Sequence, residues 1–498
     1  MDTAMAEIDA FAAARGCFEE MLGWLEGTES AQMSHAGLEE ELVRRGREVQ
    51  RLAFQDHLDL RALRERRVHV VDADGVDHAA VEAGHNRQLS TVVGTVRVER
   101  LAYRHLGSHN LHPADAALNL PDQLHSHGLR RLAAIESTRG SFDEAAAAIE
   151  RGTGVAVAKR QVEFLSARAA TDVEGFYATR TRTEAEETDV LVISADGKGI
   201  VMRPDSLRPA TAKAAAATTK LTTRLSKGEK RNRKRLAEVG AVYDVSPVPR
   251  SAEDVMASKA QDEQPPEAPR AKNKWVTASV VEDAAEVVSR LFDEADRRDP
   301  DHTRTWGALV DGNNHQIERI GAEAKSRGVE VRIVVDLVHV IEYLWAAAWC
   351  FFSEGEAAAE DWVRGRVLAV LQGNAREVAA GIRRRATACG LAKTKRKKAD
   401  DAARYLVNKA PYLDYPSALA SGWPIATGVI EGACRYLVAD RMDITGARWS
   451  VQGAEAVLKL RAVRANGDFD DYWSFHLDHE RRRVHGSRYD QGVAPLAA

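Results

Sequence analysis

Hydrophobic positions change their spacing several times along the chain. Up to about residue 66 they recur with helical period: Phe11, Phe18, Met21, Leu22 and Leu25 share one stripe, and Leu38 to Leu63 carries Leu, Val and Phe on one face among many charges. This predicts a helical arm over residues 1–66, whose apolar seam pairs helices within a chain or between two chains. Val68 to Asp72 and Ser90 to Tyr103 alternate with period two, which predicts a small β element with Gly94 at a bend. Pro113 and Pro121 mark a turn-rich stretch, and helical spacing returns from about Leu124. Ser141 and Glu144 stand at capping-box spacing before an apolar run, Gly152-Thr153-Gly154 interrupts it, and Val155 to Ala170 resumes with Lys159, Arg160 and Arg168. Helix, glycine turn and basic second helix outline a helix-turn-helix DNA reader, and equally an ordinary helical hairpin.

A different pattern follows. Asp189 to Lys198 is a short Val/Ile run ending in Asp196-Gly197, Trp306 to Val310 ends in Asp311-Gly312, and Val329 to Val335 ends in Asp336. Each predicts a buried strand that stops at an acid. Parallel strands of one sheet bring their carboxyl ends to a single edge, where such acids converge on one cleft suited to metal ions. Taken singly, each Asp-Gly also reads as a plain turn dipeptide. Ala237 to Val245 and Trp275 to Val281 read as further strands, while Ser279 to Arg297, Ile317 to Ser326 and much of Val340 to Thr387 read as amphipathic helices. Strands first and alternating units afterwards predict a mixed α/β sheet.

The 498 residues suffice for two to four domains, and 44% hydrophobic content is ordinary for a globular protein. No run of about 18 apolar residues occurs, and Met1-Asp2-Thr3-Ala4 lacks a signal-peptide layout, so no membrane partner and a cytoplasmic, nucleoid-associated location are expected. Four scattered cysteines without a Cys-x-x-Cys pair argue against a disulfide framework or a zinc ribbon. The net charge of -4 suggests no polyanion by itself. Its distribution does: Lys230, Arg231, Arg233, Lys234 and Arg235 crowd one segment near a Pro/Glu-rich linker, and Lys393, Lys395, Arg396, Lys397 and Lys398 crowd another. Each cluster is a solvated surface or a phosphate contact.

The last informative stretch runs from Gly422-Trp423-Pro424 through Thr427-Gly428-Val429-Ile430-Glu431-Gly432 to Arg441 and Gly446-Ala447-Arg448-Trp449. Thr427 is placed to cap a helix with Glu431 in its first turn, and Glu431 with Arg435 also fits a surface pair. Together with Asp196-Gly197-Lys198, Asp311-Gly312 and Asp336-Leu337-Val338-His339, this stretch resembles bacterial insertion-sequence DDE transposases, most closely the ISKra-type subgroup. The similarity spans about residues 90–465 and includes Thr91-Val92-Val93-Gly94 and Leu118-Asn119-Leu120-Pro121. The Glu431 stretch is its most specific part.

The resemblance implies an α/β RNase H-like core, a mixed five-stranded sheet with flanking helices and a helical insertion, preceded by a mainly helical DNA-binding region. Mapped onto the chain, residues 1–66 are the arm, 67–185 the β element and DNA reader, 186–336 the first part of the core with a basic insertion near 204–274, 337–425 the helical insertion, 426–465 the last core helix and 466–498 a tail. Asp196, Asp311 and Glu431 take the places of the catalytic acids and metal ligands, with Asp336, His339, Arg448 and Trp449 in support. Two Mg²⁺ or Mn²⁺ ions per site are implied, since hard cations prefer carboxylate oxygens and a two-ion site serves phosphodiester cleavage. The implied partners are double-stranded DNA, as terminal inverted repeats and target, and further copies of the chain on DNA. Lys159, Arg160 and Arg168 are candidates for base edges and the basic clusters for phosphates. Trp449 reads either as a stacking platform for an unpaired base or as a core residue. An RNase H-like nuclease that never joins strands, and a non-catalytic DNA-binding regulator, are the alternatives.

Overall fold

The helical spacing of the first stretch resolves into Ala12–Leu25 and the 30-residue His35–Arg64, whose N-terminus Ser34 caps by accepting from the Gly37 amide. The structure is a computed structural model that describes residues 9–181, 185–217, 232–257, 268–444 and 446–495. It divides into one unit formed by Met1–Thr179 with Asp468–Ala498, and a second formed by Arg180–Gly467.

In the first unit, β1 (Ala80–Thr91) and β2 (Gly94–Arg104) pair antiparallel, and Leu89, Val96 and Val98 pack on Leu58 of the long helix. The expected single bent strand from Ser90 to Tyr103 is thus the end of one strand, a tight turn at Val92-Val93, and a second strand. Gly94 has φ 127, a conformation that glycine adopts without steric cost. The stretch Val68 to Asp72, expected as a strand, contributes only isolated bridges, Val71 to Asp77 and Asp72 to Tyr489. Three helices follow, His127–Ser137, Phe142–Thr153 and Lys159–Ala169, packed around Leu129, Ala133, Ala145, Ile149, Val162 and Leu165. The capping box of Ser141 and Glu144 forms, and Gly154 ends its helix in the left-handed conformation.

The C-terminal stretch is part of this unit rather than a tail. Phe469–Val484 is a helix whose Tyr472 hydroxyl donates to the Ala169 carbonyl, whose His476 lies 2.6 Å from Asp172, and whose Glu480 accepts from Arg130 at 2.9 Å. Arg130 and Glu480 are both almost wholly buried, a pairing that leaves neither charge uncompensated.

The second unit is built on a five-stranded sheet in the order β5-β4-β3-β6-β7. Its strands are β3 (Val190–Val201), β4 (Lys234–Val245), β5 (Ala271–Ser279), β6 (Trp306–Val310) and β7 (Val331–Val335). β4 runs antiparallel to both β3 and β5, and β6 and β7 run parallel to β3. Residues Val190 to Ala195 are all buried, as a central strand covered on both faces requires. Ala284–Arg298 and Asn314–Arg327 supply the connections to β6 and β7, capped by Asp283 and Asn313. The element order read from the sequence, three strands, helix, strand, helix, strand, is the order found, except that the short helices Pro209–Ala216 and Ala252–Met256 stand between the first three strands. After β7 come four longer helices, Leu337–Ala348, Ala357–Leu371, Ala375–Ala388 and Lys393–Lys409. Val451–Ala465 then packs back on β5, where Glu455 accepts from Ser279 and the Val280 amide, and Asn466 pairs with both backbone groups of Val276.

At the end of the sheet away from the acids, Asp244 accepts from Arg304 at 2.7 Å and Arg298 at 3.4 Å, and all three side chains are buried. Among the described residues no helix is long and apolar enough to cross a membrane.

Candidate functional site

Sheet register brings three acids into one row. The parallel ladder pairs Ser194 with Leu309 and Val310 with Val335. Continued by two residues on the first pair of strands and by one on the second, it sets Asp196, Asp311 and Asp336 side by side, with neighbouring strands about 4.8 Å apart. Asp196 lies within β3, which runs on to Val201 beside β4, whereas β6 and β7 stop one residue short of their acids.

Each acid is held differently. Asp196 Oδ1 accepts from the Gly197 amide at 2.6 Å, and its Oδ2 accepts from the Cys434 thiol at 3.3 Å. Burial and then the charge of Asp196 push that thiol far above its usual range, so it stays protonated and able to donate. Asp311 Oδ1 accepts from the Asn313 amide at 2.7 Å, while its carbonyl accepts from the Tyr405 hydroxyl at 3.0 Å. Asp336 is fully buried. It caps Leu337–Ala348 by accepting from the Val338 amide at 2.9 Å, and its Oδ2 faces His339 Nδ1 at 3.2 Å.

Glu431 sits on the short helix Gly428–Ala433, which passes into a π-helical turn, Cys434–Ala439. Thr427 does not cap this helix with its side chain. Its hydroxyl turns instead to Asp336 Oδ2, with Glu431 Oε1 at 3.3 Å. One hydroxyl proton cannot satisfy two carboxylates at once. The expected surface pair of Glu431 with Arg435 does not form, because Arg435 lies 3.7 Å from Asp440. Cys434, three residues after Glu431, therefore ties the Glu431 segment to Asp196, and Thr427 ties it to Asp336.

Among the described residues, Asp336, His339 and Glu431 are the set of three whose ligand atoms all lie within 4.8 Å of one another. Two of these three were expected to support the site rather than to line it, and Asp196 and Asp311 belong to no such set. Burial disfavours the charged form of His339. The hydrogen bond to Asp336 and the charges of Asp336, Asp311 and Glu342 outweigh it and raise its pKa. Asp196, Asp311 and Glu431 have no ion pair with Lys or Arg among the described residues. Glu238, cross-strand from Gly197, is a further acid that sequence reading passed over; burial and then the charge of Asp196 raise its pKa. Only the register of the antiparallel pair reveals it.

The remaining candidates separate clearly. Trp449 is buried: its indole nitrogen donates to the Met442 carbonyl at 3.0 Å, and the Arg441 guanidinium covers its ring at 4.6 Å. It belongs to the core, so the stacking platform is not there; Arg448 beside it is exposed. Arg168 donates to Asp122 at 2.9 Å and to Glu480 at 2.8 Å, contacts that hold it against Phe469–Val484. Lys159 pairs with Asp143, whereas Arg160 is exposed at the start of the third helix. Lys234 and Arg235 lie on β4 rather than in a loop; Lys234 is 3.5 Å from Asp443, and Arg235 donates to the Val280 carbonyl at 2.6 Å. Arg233 precedes them, and its carbonyl accepts from Met202. Lys230 and Arg231 lie outside the described residues. In the second cluster, Arg396 is tethered to Asp400 at 3.0 Å, and Lys393, Lys395, Lys397 and Lys398 are exposed. Comparison with protein-family models and with curated proteins returns no match for this chain.

Proposed function

We propose that the chain is a DDE-type DNA transposase, an enzyme that cuts phosphodiester bonds at the ends of a mobile element and joins them to target DNA, with Arg180–Gly467 as an RNase H-like core. The observation that carries this reading is the row of Asp196, Asp311 and Asp336 along adjacent strands, with Glu431 tied to it from a later helix through Thr427 and Cys434. Acids on the first strand of the sheet, just after its fourth strand, and on a late helix are the arrangement that the resemblance implies.

Oxygen donors without Lys or Arg partners suit Mg²⁺ or Mn²⁺. Asp196, Asp311 and Glu431 would hold the ions, which when bound neutralise charge developing on the phosphate. Asp311 is assigned as the second acid because its carboxylate spends one oxygen on a single amide, whereas the buried Asp336 carboxylate is already committed to an amide, a hydroxyl and an imidazole. Asp336, His339 and Thr427 then act on Glu431, setting its position. Arg160 at the N-terminus of the third helix is placed as helix-turn-helix proteins place their base-reading residues, and the exposed lysines at the start of Lys393–Lys409 suit phosphates. Action as a homo-oligomer on DNA belongs to the same proposal.

The test is incubation of the full chain with DNA carrying the element's ends and Mg²⁺, with cut and joined products mapped. Asp196→Asn, Asp311→Asn and Glu431→Gln are each expected to remove cleavage while DNA binding stays. Cleavage without joining identifies a nuclease, and binding without cleavage a regulator. A dead Asp336→Asn beside an active Asp311→Asn reverses the assignment of the second acid.

A further inference from the structure

The inner face of the hairpin β1–β2 changes character along its length. Leu89, Val96 and Val98 are apolar and pack on Leu58. Two residues further from the turn the same face carries Arg87 and Arg100, because side chains two apart along a strand share a face. Both guanidiniums line a cavity of about 1030 Å³, together with His112, Asp115, His485 and Arg488. Every residue that lines it belongs to the unit formed by Met1–Thr179 with Asp468–Ala498. The returning C-terminal stretch thus completes this cavity, and the Arg488 carbonyl holds it there by accepting from the Ala73 amide.

The charges around the cavity do not balance. Arg100 holds Asp115 at 2.8 Å, and Arg130 and Arg168 share Asp122 and Glu480. Asp72 is spent on the amides of Asp74 and Val76 and on His78. Asp74, the remaining acid of the lining, is exposed, where water and salt screen it. Arg87 is left over. Its ion-pair partner among the described residues, Asp115, stands 4.0 Å away and is already held by Arg100. Of the five N–H donors of its guanidinium the structure shows one spent, on the Gln123 carbonyl at 2.8 Å. Burial, ahead of every nearby charge, lowers its pKa, as befits a half-buried cation with too little compensation. Arg488 is exposed and has no side-chain partner among the described residues. His112 and His485 donate to the Leu101 and Leu120 carbonyls, and burial lowers both pKa values, so they stay neutral and the free positive charge rests on the two arginines.

A half-buried charge without a close partner costs stability, so one kept in a polar cavity marks a ligand of opposite sign. Guanidinium forks match the oxygens of phosphate, whose charge of about -2 answers both arginines where a single carboxylate answers one. The cavity is also of the size that takes a nucleotide. We propose that it binds a phosphate group, held by Arg87 and Arg488 and carried by a nucleotide or by a nucleic-acid backbone. The site uses no residue of the acid row and is independent of the transposase reading.

The test is calorimetric titration of the full chain with inorganic phosphate, in EDTA and at fixed ionic strength. EDTA leaves the acid row without metal, so Asp196→Asn is expected to bind phosphate as the natural chain does. Saturable binding is expected, weakened about tenfold in Arg87→Gln and about threefold in Arg488→Gln. Arg87→Gln removes an uncompensated charge and is expected to keep or raise the midpoint of thermal unfolding without phosphate. Should it fail to fold, the exposed Arg488→Gln decides alone. Thymidine monophosphate and a duplex of about 20 base pairs then distinguish the sources. A mononucleotide that binds tighter than phosphate and is lost with the arginines identifies a free nucleotide, and a duplex with that dependence, without gain from the mononucleotide, identifies a backbone. Absence of saturable phosphate binding, equal affinity in the natural chain and the variants, or equally tight binding of succinate overturns the proposal.

Discussion

At the scale of single residues, Thr427 has the most telling position, because its one hydroxyl stands between the carboxylates of Asp336 and Glu431. If the acid row cuts DNA as proposed, removing it while keeping the shape, as in Thr427→Val, is expected to lower cleavage about tenfold by freeing Glu431, with Thr427→Ser retaining most of the rate. Single-turnover cleavage of labelled DNA ends measures both. A second residue, His127, sets a pH dependence of stability. Its Nε2 donates to the Asn119 carbonyl at 2.8 Å, its Nδ1 is buried without a partner, and burial followed by the charge of Arg130 lowers its pKa to about 4. The unfolded chain takes up this proton near pH 6.5 and the folded chain only near pH 4, so stability is full above pH 6.5 and declines as pH falls through that window. The contribution is on the order of 2–3 kcal/mol. Urea titrations at pH 7 and pH 4.5 are expected to show a smaller loss in His127→Gln than in the natural chain. An equal loss would assign the acid sensitivity to other groups.

At the scale of elements, legibility followed burial. Strands β3 and β6 run as buried apolar stretches because both faces are covered, and a run of that kind ending in Asp is plain in the sequence; the edge strand β7 carries Arg332 and is buried only at Val334 and Val335. The hairpin β1–β2 was hidden because apolar Val92-Val93 occupies its turn, where the period-two pattern continues unbroken. The role of Thr427 was half legible: helix-start chemistry was visible, but not that its hydroxyl would be drawn to Asp336, 91 residues earlier in the chain. Buried ion pairs are the hardest to read, since Asp244, Arg298 and Arg304 look like surface residues one at a time. Asp244→Ala takes the carboxylate from buried Arg304, while Arg298 keeps Glu294 at 2.8 Å, and is expected to destabilise the Arg180–Gly467 unit by about 3 kcal/mol. Denaturant unfolding reports the change, and a loss well under 1 kcal/mol would show that water reaches the pair.

At the scale of the whole molecule, the chain leaves its first unit at Thr179 and comes back to it at Asp468. Phe469–Val484 reads as a tail because the resemblance stops at about residue 465, yet Glu480 and His476 are buried against Arg130 and Asp172. A chain ending at Gly467 leaves Arg130 without Glu480 and uncovers the surface around Ala169. It is expected to lose the cooperative unfolding of the first unit, with the helices His127–Ser137 to Lys159–Ala169 becoming sensitive to limited proteolysis. Protection equal to that of the full chain would show that the helix is dispensable.

That return of the chain has a consequence for synthesis. A ribosome delivers Phe469–Val484 after every residue of the intervening unit, so a nascent chain lacks the contacts of Arg130 with Glu480 and of Asp172 with His476 until that helix emerges. If the first unit reads DNA as proposed and needs that helix to fold, a nonsense mutation anywhere in the intervening unit produces no DNA-reading fragment to compete for the same ends.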